Sequence, residues 1–318
     1  MHITTLIPAY KPQYLAELLT SLRLQTRPAR QIIFSDDSPN GEYRAALFAD
    51  ALAPLRAGLD IEFHEGPRQG GYANMMHLVR LWAGRSELLH LMLDDDVAYP
   101  EFYERHLVAH ASAPISCSVS RRWTANEQGV PLGGLPLPPA VAQSAHRLLS
   151  LDAGAVFMST AAECRNWLGE FSNVVFRAQV APVLLKPDFG GVSYAGLWDL
   201  GAFMAASLQA PIALVQDHLG YFRTGGSNNT SKFYGPYMKA AHLGYAALVM
   251  GGQRIGMYTA EQARRAYGLL ASAMAQRYGG EADMQPFIAL LPAMAGSDEL
   301  AEATFLEIWN AYLRKHGF

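Results

Sequence analysis

Cysteine is scarce in this chain. Its 318 residues hold two, Cys117 and Cys164, with no CxxC spacing. That removes a disulfide framework and a cysteine zinc site, and leaves two reduced thiols as the expectation. Charge is scarce too: 17% of residues are charged and the net charge is −3. A nucleic-acid surface needs a basic excess, so no nucleic-acid partner is expected. The ten histidines form no HExxH pair, which argues against a zinc enzyme. His106 and His110, four residues apart, are expected at the surface. No GxSxG nucleophile elbow occurs. No run reaches the ~18 apolar residues of a membrane span. Met1 to Pro8 lacks the basic start and long apolar run of a secretory signal. The expectation is a cytoplasmic protein, with peripheral contact at the inner membrane left open.

Apolar residues, by contrast, make up 50% of the chain, and strand and helix signals alternate along it. Ile3 to Ile7 is short and apolar, and Pro8 closes it. Leu15, Leu18, Leu19 and Leu22 then mark one helix face, with Pro12 suited to the first turn. Gln31 to Ser35 reads as a second strand, ended by the turn Asp36-Asp37-Ser38-Pro39-Asn40-Gly41. A helix from Tyr43 to about Leu55, a strand at Ile61 to His64, a helix at Tyr72 to Trp82 and a buried strand at Leu88 to Leu93 follow. This alternation predicts an α/β fold, a Rossmann-like, mostly parallel sheet flanked by helices.

The middle is less regular. Ile115 to Val119, Leu151 to Met158 and Ile212 to Val215 read as strands, and Thr160 to Leu168 and Trp198 to Leu208 as helices. Arg121 to Pro139, rich in Gly and Pro, reads as a long loop, and so does Lys186 to Tyr194. From Tyr237 the strand signals fade, leaving helices near Tyr237–Met250, Thr259–Tyr278, Ala282–Leu291 and Ser297–Lys315. The expected division is an α/β domain over 1–235 and a C-terminal helical subdomain over 236–318. The apolar faces of these helices suit packing on the chain itself. They also suit a homo-oligomer interface, or a membrane-facing surface for a lipid-linked acceptor. The absence of a strongly basic face weakens the membrane option.

In parallel sheets ligands bind beyond the carboxyl ends of the strands. Asp36-Asp37 and Asp94-Asp95-Asp96 both sit at such ends. Three adjacent carboxylates repel one another, and a hard divalent cation, Mn²⁺ or Mg²⁺, relieves the repulsion. Such an ion can also stabilise a departing diphosphate. The same run equally suits an acidic turn leading into a helix opened by Pro100 and Glu101. Asp36-Asp37 suits an Asx turn as well as a carboxylate that reads a base N–H. Arg68-Gln69-Gly70-Gly71, before a helix holding Asn74, suits a glycine turn or a helix start that admits phosphate.

Four segments in order resemble the family 2 glycosyltransferases, which have the GT-A fold. Leu6-Ile7-Pro8-Ala9-Tyr10 is similar to that family's opening "IPxYN" strand. Ser21-Leu22-Arg23-Leu24-Gln25-Thr26 resembles "SLxxQT", Ile32 to Ser38 resembles "IIVVDDGS", and Leu91 to Asp96 resembles the "LDxD" metal motif. The resemblance is strongest over residues 1–110 and absent beyond about 230.

The resemblance implies a metal-dependent, inverting transfer of a sugar from a nucleotide diphosphate-sugar donor to an acceptor hydroxyl. The acceptor class it implies is a saccharide or a lipid-linked glycoconjugate of a bacterial surface. It places Pro8 and Tyr10 beside the nucleotide and Asp36 on the base. It puts Asp94 near the ribose or the metal-bound diphosphate, Asp96 on the metal and Arg68 in reach of the donor. Asp199, in Trp198-Asp199 where the family has an "ED" pair, is the implied general base, with Asp188 in reserve. Arg223 is the implied diphosphate clamp. The His that usually follows that Arg is absent, and Asp217 and His218 are nearby substitutes. Asn228, Asn229 and Lys232 form a polar loop suited to closing over the donor.

Trp123, Trp167 and Trp198 are candidates for a sugar-stacking platform, or for core packing. Two rival classes remain: a non-catalytic nucleotide-binding scaffold on a decayed transferase fold, and a nucleotidyltransferase. The second would show a glycine-rich basic loop after the first strand, where this chain has Pro8-Ala9-Tyr10-Lys11-Pro12.

Overall fold

Ile3–Ala9 forms β1, and nearly every residue of it is buried. That is the mark of a strand covered on both faces, as in a parallel sheet with helices on either side. In the computed structural model, which describes residues 1–226 and 231–318, β1 is flanked by β2 (Gln31–Asp36) and β4 (Leu88–Leu91). β3 (Ile61–Glu65) lies beyond β2, and all these pairings are parallel. The sheet order runs β3-β2-β1-β4 and continues through β9 (Val174–Arg177), β6 (Cys117–Ala125), β12 (Ile212–Arg223) and β5 (Val97–Ala98). β7 (Pro131–Gly134) adds to β6, and β8 (Leu148–Leu151) adds to β12. β1, β2, β3, β4, β6 and β12 share one direction, while β5, β7, β8 and β9 oppose it. The expected mostly parallel α/β sheet is therefore present.

The order reverses between β1 and β4: the chain builds outward to β3, then returns to the other side of β1. Such a switch point leaves a crevice at the carboxyl ends of the two strands. Residues 9–11 and 92–96 lie there. Helix Leu15–Arg23 buries Leu15, Leu18, Leu19 and Leu22, the face read from the sequence. Its end is tied down by Gln25. The Gln25 side-chain amide donates to the carbonyls of Ser21 (3.0 Å) and Tyr99 (2.8 Å), and its oxygen accepts from Tyr103 N–H.

Several segments differ from the sequence expectation. The helix expected over 43–55 breaks into Glu42–Leu47, a 3₁₀ turn and Ala53–Arg56. Pro54 has no N–H for a continuous helix, but is tolerated in a first turn. The long loop at 121–139 holds the end of β6 and the hairpin strand β7. Asn126 makes their turn by accepting from the N–H groups of Gln128 and Val130. Leu151 to Met158 is not a strand. β8 ends at Leu151, and Asp152 caps helix Ala153–Ser159 by accepting from Ala155 N–H at 2.7 Å. An apolar run of this length does not distinguish strand from helix. The helix expected at 160–168 shrinks to a 3₁₀ turn, Ala161–Glu163, and Lys186 to Tyr194 contains the hairpin β10 (Asp188–Phe189) and β11 (Val192–Ser193). Gly190 and Gly191, at φ +61° and +71°, make its turn. His106 and His110 are not at the surface: both are buried, on the face of helix Phe102–Ser112 that packs against the sheet.

The chain divides into two units: 1–151, 168–185 and 206–224 in the first, and 152–167, 186–205 and 225–318 in the second. The boundary expected at 235/236 thus falls within the second unit, which recruits two earlier segments. Close packing explains one of them. Helix Pro236–Arg254 presses on residues 195–197 so tightly that a Cβ on Gly244 would stand 2.6 Å from Leu197. The remaining helices, Ala260–Tyr278, Gln285–Ala295 and Glu299–His316, bury Tyr267, Phe287, Phe305 and Trp309. Thr259 and Gln262 form a capping box at the first of these, and Asp298 caps the last. Among the described residues no helix is long and apolar enough to cross a membrane.

Candidate active site

The four parallel strands β3-β2-β1-β4 bring their carboxyl ends to one edge, and the sequence-predicted residues of the first unit gather there. Asp94 Oδ2 accepts the backbone N–H groups of both Tyr10 and Lys11, each at 2.6 Å. The acid at the end of β4 thus fixes the loop leaving β1. Lys11 Nζ donates to Asp95 Oδ2 at 2.7 Å. Pro8 is half-buried at the end of β1, and the Tyr10 side chain is exposed.

Asp96 is buried, at 1% exposure. Its Oδ1 accepts the Arg223 backbone N–H at 2.9 Å, while its Oδ2 has no hydrogen-bond partner among the described residues. Burial, then the charge of Asp95, holds its carboxyl well above the usual range, against the nearby Ser172 hydroxyl and the Arg223 N–H. Asp94 is pushed up to about 7 by the same two causes, opposed by the Lys11 and Tyr10 N–H groups. A buried carboxylate oxygen without a donor calls for a cation or a proton.

The Asp36 carboxylate is spent on its own turn. Oδ1 accepts Ser38 N–H at 2.9 Å and Oδ2 accepts Arg44 N–H at 3.0 Å. Asp37, next to it, accepts the Arg68 N–H on Oδ1, and its Oδ2 makes no hydrogen bond among the described residues. Gly66 permits this approach, since a Cβ there would lie 2.7 Å from Asp37 Oδ1 and 2.9 Å from the Asp36 carbonyl oxygen. Arg68 has φ +55° with an exposed side chain, a costly backbone for a residue with a Cβ. Asn74, in helix Gly71–Trp82, donates to the Ser35 carbonyl at 2.9 Å and leaves Oδ1 buried and unpaired among the described residues.

Arg223 is 1% exposed and heavily committed. Its Nε donates to the Asp95 carbonyl at 2.8 Å, Nη1 to the Glu127 carbonyl, and Nη2 to Glu17 (2.7 Å) and the Tyr221 hydroxyl (3.0 Å). It also lies 4.0 Å from the Tyr14 ring centroid. The guanidinium is therefore a brace between β12, the acidic triad and helix Leu15–Arg23. The clamp role expected of it would need these bonds exchanged.

Other expected residues make contacts of their own. Asp217 pairs with Arg147 and Arg105. It stands six residues before Arg223 on the same strand, roughly 20 Å at ~3.3 Å per residue. His218 stacks on Trp123 at 3.8 Å between centroids, and burial lowers it to about 4. Neither supplies the missing third metal contact, and among the described residues no three metal-ligating side chains converge. Trp167 and Trp198 are buried in the second unit, leaving Trp123 as the half-exposed member of the expected platform. Asp199 lies in the first turn of helix Trp198–Ser207, half-buried, its Oδ1 accepting the Leu200 N–H. Asp188 pairs with Lys186 at 3.5 Å. Asn228 and Asn229 lie outside the described residues.

Sequence reasoning offered the pair Asp36-Asp37 but assigned the base to Asp36, and it missed Lys11 and Gly66. Lys11 carried one signal, since it replaces the Asn of the opening motif it otherwise resembles.

Residues 4–136 match the sequence model described as glycosyl transferase family 2. These residues are a family 2 glycosyltransferase domain. A search of curated proteins gave no match. Among solved structures, the S. aureus TarS fragment 1–349, crystallised with UDP-GlcNAc, aligns over 99% of this chain and 92% of its own. Its TM-score is 0.55 at 12% identity. The mannosyltransferase PcManGT from Pyrobaculum calidifontis, in complex with GDP-Man and Mn²⁺, aligns over 99% of this chain and 86% of its own, with TM-score 0.53 at 12% identity. Both likenesses extend the GT-A fold assignment beyond the family-matched segment.

Proposed function

We propose that the protein transfers a sugar from a nucleotide diphosphate-sugar to an acceptor hydroxyl, with inversion and with Mn²⁺ or Mg²⁺ as cofactor. One observation carries this reading: Asp96 holds a buried, unpartnered carboxylate oxygen at the crevice where the sheet order reverses. The residues fit an open metal site and not a closed cage. A hard divalent ion is commonly held by one or two carboxylates and completed by substrate phosphates and water. Asp96, with Asp94 beside it, would hold the ion. When bound, it would stabilise charge on the departing diphosphate.

The chain's own residues do the rest. Asp94 and Lys11 fix the loop after β1, so that Pro8 and Tyr10 flank the nucleotide. Asp36 shapes the turn after β2, and the base-reading role passes to its neighbour Asp37, whose Oδ2 makes no hydrogen bond among the described residues. Arg68 is presented to the donor by its left-handed backbone. Arg223 keeps the acidic triad in place. The acceptor oxygen attacks the anomeric carbon as the bond to the diphosphate oxygen breaks, and Asp199 takes the hydroxyl proton. The acceptor class is a saccharide or lipid-linked glycoconjugate of the bacterial surface, reached from the cytoplasm. Support for this acceptor, for inversion and for Asp199 is the family resemblance.

The test is thermal melting with UDP, GDP, dTDP and CDP, each with Mn²⁺ or with EDTA. A ligand at 100 times its dissociation constant adds about 2.7 kcal/mol to stability. A metal-dependent shift with one diphosphate is expected, and no shift with any would overturn the donor site. Donor binding without release of sugar to acceptor or water would favour the non-catalytic scaffold.

A further inference from the structure

Lys11 touches two of the three acids after β4. Its backbone N–H donates to Asp94 Oδ2 and its ammonium to Asp95 Oδ2, at 2.6 and 2.7 Å. The position is occupied by a short, neutral Asn in the motif that Leu6 to Tyr10 otherwise resembles. Here it carries a positive charge on a four-carbon stem, one residue from Tyr10 and against the acid between Asp94 and Asp96. Arg223, the other cation at the triad, is 1% exposed and braced by four hydrogen-bond acceptors. The Lys11 side chain is 22% exposed. Asp95 is buried beneath it, at 8% exposure, so the pair opens to solvent on the lysine side, and the ammonium is a rotatable point charge suited to phosphate.

We propose that Lys11 is a phosphate-binding residue of the donor site, its ammonium passing from Asp95 to the donor's diphosphate. This rests on the donor-site reading above. A diphosphate entering beside the triad carries more negative charge than one carboxylate, and it would otherwise meet three acids. In the free chain the ammonium screens those acids; in the complex it neutralises the ligand.

Isothermal titration with UDP, GDP, dTDP and CDP in Mn²⁺ tests the assignment on four full-length chains: the wild type, Lys11→Met, Lys11→Arg and Asp95→Asn. The methionine variant should bind the preferred diphosphate at least tenfold more weakly, with a shallower salt dependence. The arginine variant should stay within a few fold of the wild type. Asp95→Asn, which releases the ammonium, should bind as well as the wild type or more tightly. Equal binding by wild type and Lys11→Met would overturn the assignment. So would a loss in Asp95→Asn as large as that in Lys11→Met, because Lys11 would then act only by holding Asp95. A wild type that binds none of the four diphosphates would sink the donor-site reading itself.

Discussion

The backbone N–H of Arg223 donates to Asp96 Oδ1 at 2.9 Å, across 127 positions of sequence. The bond does two things. It ties the end of β12 to the acidic triad after β4, and it engages one carboxylate oxygen while leaving the other buried and open. The side chain of the same arginine holds the Asp95 carbonyl and Glu17. The open oxygen therefore sits in a frame that a ligand need not build.

Asp96→Asn separates the charge of that oxygen from the frame. The amide keeps an oxygen for the Arg223 N–H but removes a buried negative charge beside Asp95. Stability should hold or rise, because the ion was desolvated at a cost. Sugar transfer should fall by about 10²-fold or more, on the scale of losing one charge-stabilising group, and the Mn²⁺-dependent melting shift should vanish. Wild-type turnover in this variant would remove Asp96 from the metal assignment.

Arg68→Asn should move stability and binding in opposite directions. Arg68 has φ +55°, a conformation costing roughly 1–2 kcal/mol for residues with a Cβ, and asparagine tolerates it better. The Arg68 N–H bond to Asp37 is a backbone bond and survives. Urea denaturation should show a gain of up to about 1 kcal/mol. Nucleoside diphosphate binding should weaken, because the exposed guanidinium is gone. Unchanged binding would leave Arg68 as a turn residue alone.

The strand ends were legible to within two residues from turn chemistry: Asp36-Asp37 marks the end of β2, and Asp94 to Asp96 follow shortly after β4, whereas Pro8 lies inside β1, which runs on to Ala9. The carboxylates' individual tasks were not, since these depend on which backbone N–H groups approach from elsewhere in the chain. Asp36 and Asp37 look alike in sequence, yet the first caps its own turn and the second receives Arg68. Arg223 read as a free clamp, because Glu17 and Glu127, distant in sequence, give no local sign of meeting it. His106 and His110 read as exposed because a polar side chain on a helix is usually outside. The sheet instead supplies Ser118 and the Val175 carbonyl as partners. Around Leu151 to Met158 the apolar run fits either element, and the Asp152 cap decided for helix.

His110 gives a pH test. Its Nε2 meets the Val175 carbonyl at 3.1 Å, its Nδ1 is buried and unpaired among the described residues, and burial lowers it to about 4. The unfolded value is ~6.5. As pH falls below 6.5 the unfolded chain takes the proton first, so the contribution is intact above 6.5 and is lost on the way down to about 4. At pH 5 the loss is about 2 kcal/mol from linkage. Asp94, raised to about 7, works the other way over this range, gaining stability as it protonates. The informative comparison is therefore between variants. Going from pH 7.5 to 5.0, His110→Leu should lose about 2 kcal/mol less than the wild type in urea denaturation. Parallel losses in the two chains would show that His110 does not titrate this way.

Asp199 is the residue on which the chemistry, as opposed to donor binding, can be isolated. Its Oδ1 accepts the Leu200 N–H at 2.7 Å within the first turn of its helix, where a carboxylate is also favoured by the helix dipole. Asp199→Asn keeps an oxygen for that N–H and loses only the basicity. If Asp199 takes the acceptor proton, transfer should slow by about 10²–10⁴-fold, the usual worth of a positioned base. The melting shift with nucleoside diphosphate and Mn²⁺ should stay at its wild-type size, because the donor does not need the base. A purely structural Asp199 predicts the reverse: a lower melting temperature and a transfer rate that follows only the folded fraction. Assaying Asp188→Asn in parallel would show whether the reserve acid carries the proton instead. In that case the Asp188 variant, and not the Asp199 variant, would lose turnover while keeping the melting shift.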